Sequence, residues 1–148
     1  MKRVAVVGVA QTKFEGRIVD RNFADLAYQV TTEALADAEM TIDQIDNVVT
    51  VSNDFWDGRT ISSMAVTDAC GAYGKNVSTV EGDGTFGVLY GAMRIMSGSY
   101  GTTLVVAHSK SSEGDSSVIG NAIFDPIYQR PLDLDGLSSA ALQAHACM

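Results

Sequence analysis

Short β-rich apolar runs alternate along this chain with longer stretches of helical spacing. Val4-Ala5-Val6-Val7-Gly8-Val9 is nearly continuous in apolar residues, the pattern of a strand buried on both faces of a parallel sheet. Gln11 to Arg21 is polar and reads as a loop. Asn22 then stands as a helix N-cap, with Asp25 completing a short capping box. Phe23, Leu26, Ala27, Val30, Ala34, Leu35 and Ala38 follow on one stripe and predict a helix over about 22–39. Val48, Val49 and Val51 mark a second strand over 47–52. A second helix is expected over 61–72, closed by Gly71 and Gly74. A third strand covers 77–80, and Gly82-Asp83-Gly84 turns the chain into a helix over about 84–98. That helix carries Phe86, Leu89, Tyr90, Met93 and Met96 at helical spacing, and its Met residues are assigned to the core. Gly87 and Gly91 sit four apart on it and permit close contact with a neighbouring backbone. A fourth strand covers 102–108. The order strand, helix, strand, helix, strand, helix, strand predicts an α/β fold, with a mostly parallel sheet and helices on both faces.

Beyond Ser109 the texture changes. Residues 111–120 are polar, Asp125-Pro126 and Arg130-Pro131 are turn signals, and a helical pattern begins at Leu137. Residues 1–110 are therefore read as the α/β core and 111–148 as the start of a loop region ending inside a helix.

Composition narrows the function classes. The formal net charge of −8 lacks the basic footprint of a nucleic-acid binder or of a chain that adheres to anionic membrane. No apolar run approaches a membrane-spanning length. The first apolar run is too short for a signal-peptide core. Cys70 and Cys147 lack metal-type spacing and suit a reducing compartment, so a cytoplasmic location is expected.

Candidate chemistry concentrates at Glu81-Gly82-Asp83-Gly84, a glycine turn between a strand and a helix start. Helix-start N–H groups carry partial positive charge and favour an anion or a developing oxyanion. Three readings stand side by side. Asp83 caps the helix and the glycines merely turn the chain. Alternatively, Gly82, Gly84 and Gly87 match the G-x-G-x-x-G of a dinucleotide site. Against that, Glu81 would repel a pyrophosphate, and the next strand ends in Ala107-His108-Ser109-Lys110 without an acidic ribose partner. In the third reading Gly82, Asp83 and Gly84 bind an acyl substrate. His108, at a strand end near this turn, is a candidate catalytic group, although a structural histidine is the commoner outcome. His145 reads as surface or partner-facing. Glu113 and Asp115 with His108 lack metal-ligand spacing, so no metal is expected. Trp56, in a loop with Asp54 and Asp57, packs over a neighbour or a partner.

These stretches taken in order resemble thiolases of the sterol-carrier-protein type. The similarity is carried by Val4 to Phe14, by the helix around Ala34-Leu35-Ala36-Asp37-Ala38, by the Gly84 turn, and by Ile95 to Tyr100 with Leu104-Val105-Val106. The resemblance implies the first of two similar α/β halves, with four of its five strands in the order 3-2-1-4. It implies a coenzyme A thioester as substrate and no other cofactor. It also implies a partner, either as a homo-oligomer or as a heteromer with a second thiolase half or an accessory acyl-CoA-binding subunit, with third-strand dimerisation as the contact. In such thiolases the turn carries a nucleophilic Cys; aligned on Gly84, that position is Glu81 here. A carboxylate is a poor acyl acceptor, and neither Cys70 nor Cys147 matches the position. Glu81 is left as a mimic of an acylated state, a general base or a structural cap. The expectation is a thiolase-like relative of acyl-CoA acyltransferases without condensing activity of its own, with a non-catalytic partner subunit as the alternative.

Overall fold

A computed structural model describes residues 3–148. Its sheet has three parallel strands: β1 (Asn47–Ser52), β2 (Asn76–Glu81) and β3 (Thr103–Ala107). The order is β2-β1-β3, with Ser52 opposite Glu81 and Val51 opposite Ala107. All six residues of β1 are buried, as expected of a central strand covered on both faces. Its β-branched residues suit that position.

Two helical layers cover the sheet. On one face, Ala27 of α1 (Phe23–Asp37), with Val66 and the C-cap residue Cys70 of α2 (Ser63–Ala69), packs with Val48, Leu104 and Val106. On the other face lies α3 (Gly84–Met96), which approaches through its glycines. A Cβ at Gly87 would collide with Val51 Cγ2 and come within 2.9 Å of Val105 Cγ1. A Cβ at Gly91 would lie 2.9 Å from Val105 Cγ2 and 3.2 Å from Thr103 Cγ2. The α/β fold with helices on both faces is as expected, and the predicted helices and later strands reappear with ends shifted by a few residues. The box at Asn22 also forms: its side chain accepts the Ala24 and Asp25 N–H groups, and Asp25 accepts the Asn22 N–H.

Three expectations are corrected. The run Val4–Val9 forms no strand. Gly8 instead nestles against α1, where a Cβ would lie 2.7 Å from Ala38 Cβ, and the Val9 N–H donates to Asp37 Oδ2 at 2.8 Å. The order 3-2-1-4 fails with it, because the fourth predicted strand pairs directly with the second. The apolar stripe of α3 is not core: Phe86, Leu89 and Met93 are 59%, 58% and 55% exposed. The helix turns its side-chain-free glycine face to the sheet, since that face allows the closest approach, and so its bulky residues point outward.

Past β3 the chain forms two further helices, α4 (Ser116–Asn121), which the polar pattern did not predict, and α5 (Gly136–Cys147). Neither contains a buried residue. No helix among the described residues is long and apolar enough to cross a membrane.

Candidate functional site at the carboxyl ends of the strands

Parallel register brings the ends of all three strands to one rim, where open α/β sheets usually bind ligands. Glu81 ends β2 and is exposed; Ser52 ends β1 and is buried; His108 follows β3. The loop backbones are locked to β1: Gly82 N–H donates to Ser52 O at 3.1 Å and His108 N–H to Val51 O at 2.9 Å. Glu81 and His108 therefore flank β1, with backbones roughly 10 Å apart at two strand spacings. The structure does not bring these two candidate catalytic side chains together. Both ring nitrogens of His108 are buried and lack a hydrogen-bond partner among the described residues.

The turn itself is self-contained. The Asp83 carboxylate accepts the Thr85 N–H at 2.9 Å and the Phe86 N–H at 3.4 Å. An anion approaching this helix start meets Asp83 there first. Gly82 has a φ of 132°, a conformation that favours glycine. Gly84 sits beside Ala107 Cβ, and Gly87 is taken up by helix–sheet packing.

Around His108 lies a polar cluster that sequence reasoning missed. Ser62 hydrogen-bonds the Asp54 carboxylate through its hydroxyl and, at 2.8 Å, through its N–H; its Oγ lies 3.2 Å from Ser52 Oγ. Desolvation pushes the Asp54 carboxyl up, but the bonds from Ser62 and Ser52 outweigh it and hold the group below its ordinary value. Buried Asp57 accepts the Ser109 hydroxyl at 2.8 Å and the Lys110 N–H at 3.1 Å. Buried Lys110 pairs with Glu113 at 2.7 Å and donates to the Arg21 carbonyl. Arg59 also pairs with Glu113 and stacks over the Phe23 ring, 3.7 Å from its centroid. The Lys110 hydrogen bond, helped by Arg59, holds the Glu113 carboxyl below the usual range. Burial lowers the His108 pKa against the opposing pull of Asp54 and Asp57, and the ring stacks 6.1 Å from Phe23. A neutral imidazole with unengaged nitrogens can accept or donate one proton; Arg59 Nε is likewise buried without a partner among the described residues, and the bonds the cluster does make hold the loops. The usable signal was position: residues 53–62 directly follow a buried strand, at the end of the sheet where ligands sit.

The remaining candidates are spread out. Glu113 is committed to its two cations, and Asp115 caps α4 by accepting the Ser117 and Val118 N–H groups. Cys70 is buried, and burial pushes its thiol up to about 11. Cys147 is exposed in α5, which also carries His145. Trp56 lies in the loop after β1, edge-on to Phe55 with centroids 5.4 Å apart.

No protein-family model matches the chain, and no curated protein matches it in sequence. Among solved structures, it is similar to the 3-oxoacyl-[acyl-carrier-protein] synthase III from Aquifex aeolicus VF5, with a TM-score of 0.56 and 18% identity. The similarity covers 66% of this chain and 32% of the synthase, so the chain matches about a third of that protein's length. A parallel sheet layered between α1–α2 and α3, matched at that score, gives this chain a thiolase-like α/β fold.

Proposed function

We propose that this chain is a thiolase-like unit, related to acyl-CoA acyltransferases, that has no condensing nucleophile of its own and works by docking onto a second α/β unit. The observation that carries this reading is the β2–α3 turn, where Glu81 and Asp83 present carboxylates and no thiol. The buried, protonated Cys70 and the remote Cys147 do not substitute for one. The outward side chains of α3 support the docking, because an exposed apolar stripe of this kind marks an interaction surface. A direct acid–base role for Glu81 with His108 is disfavoured by the strand between them.

Intact-mass spectrometry after incubation with acetyl-CoA tests the reading. The full chain should carry no acyl adduct, and an adduct on any residue would overturn it. In Glu81→Cys, iodoacetamide at pH 8 should label position 81 and Cys147 but leave Cys70 unmodified. A Glu81→Cys thiol inert to alkylation would remove the site assignment.

A further inference from the structure

The loop between β1 and α2 is closed by a clamp between its two ends. Asp54, near the start, accepts the Ser62 N–H at 2.8 Å and the Ser62 hydroxyl, and Ser62 Oγ lies 3.2 Å from Ser52 Oγ. Phe55 and Trp56 follow Asp54 directly and are each 44% exposed. Beside the clamp stands His108, whose two buried ring nitrogens have no hydrogen-bond partner among the described residues. The ring is fixed from two sides: its backbone N–H donates to Val51 O at 2.9 Å, and its face stacks on Phe23.

The charges that act on the ring all belong to the clamped loop: Asp54, Asp57 and Arg59. α1 packs against it with the uncharged Phe23. Lys110 and Glu113, in the segment after the histidine, are paired with each other, and Glu113 also with Arg59. Glu81 lies on the far side of β1, and the Asp83 carboxylate is engaged by its own helix. A proton taken up from solvent makes both ring nitrogens donors, and buried donors must find acceptors. Asp57 already bonds Ser109 and Lys110, the residues next to His108, so its engagement leaves the loop in place. The donors to Asp54 come from the other end of its own loop, so turning toward an imidazolium undoes the clamp.

We propose that His108 is a proton-operated latch: the neutral ring leaves Asp54 clamped on Ser62, and the imidazolium draws Asp54 away and releases the loop that carries Phe55 and Trp56 at the rim of the sheet. Burial lowers the His108 pKa against the pull of Asp54 and Asp57, so the ring is neutral at pH 7.5 and takes its proton below the ordinary value of about 6.5. Asp54 is still a carboxylate there, because the bonds from Ser62 outweigh desolvation and hold it below its ordinary value. The latch uses neither Glu81 nor the outer face of α3, so it stands or falls independently of the proposed function.

Trp56 is the only tryptophan, so its fluorescence reads the loop. From pH 7.5 to pH 5, acrylamide quenching of the full chain should rise about twofold as the 44% exposed ring becomes fully accessible. The midpoint should match that of the His108 ring protons followed by NMR. His145→Gln should leave the response intact, whereas His108→Gln and Asp54→Asn should abolish it, with near-UV circular dichroism at pH 7.5 checking that each variant is folded. In the unmodified chain, a His108 ring that titrates while quenching stays constant overturns the proposal, as does a ring that stays neutral down to pH 5. A quenching rise that survives His108→Gln overturns it too. So does a loss of far-UV circular dichroism at the same midpoint, because the whole fold would then have opened.

Discussion

Gly87 shows how much one missing side chain decides. Its Cα faces Val51 and Val105 so closely that any Cβ must displace one of them. Gly87→Ala gains about 1 kcal/mol of helix propensity. Overpacking against a β-branched central strand costs about 1–3 kcal/mol, so the variant should be net destabilised in urea unfolding. A more stable variant would mean that α3 does not ride so close to the sheet. His108 makes a second residue-scale prediction. Its folded pKa lies below the ordinary His value because it is buried, so the unfolded chain binds the proton first as pH falls. The stability from the neutral ring is complete above about pH 6.5 and is lost as pH drops toward the folded value. Melting temperature should therefore decline between pH 7 and pH 5.5, and His108→Gln should flatten that decline. Asp46, Asp54 and Glu113, all held low, act in the same direction only in the acidic range of unfolded carboxylates.

At the scale of elements, α3 is the part whose pattern misleads. Periodicity located the helix but assigned its bulky stripe inward. The tight contact with β1 and β3 reverses that, and the glycines face in. Leu89→Lys with Met93→Lys should leave the unfolding free energy in urea nearly unchanged, within about 0.5 kcal/mol, because both side chains are exposed. The same variant should bind less of a hydrophobic dye such as ANS. An unchanged dye signal would locate the accessible apolar surface elsewhere. The N-terminal run is the converse case. Its valines are as strand-like as those of β1, but a strand exists only with a partner edge, and this segment spends its contacts on α1.

Across the whole molecule, stability is concentrated in the three strands and the helices against them. α5 buries nothing, and Leu137 is 81% exposed. Deleting residues 134–148 should shift the melting temperature by less than about 2 °C, since a domain of this size loses roughly 2–4 °C per kcal/mol. A larger fall would reveal packing of α5 against the core.

Local pattern alone determined the helices α1 and α3, the strands β1 to β3, the Asn22 cap and the glycine turn at 82–84, because each follows from short-range periodicity and backbone preference. The α/β class followed from their order. Tertiary structure alone decided that β1 and β3 are neighbours, that Val4–Val9 stays out of the sheet, that α3 presents its apolar side to solvent, and that Asp54, Asp57, Ser62 and Lys110 gather around His108. Those outcomes depend on which edges and faces meet in space, and such contacts leave no period in a one-dimensional chain.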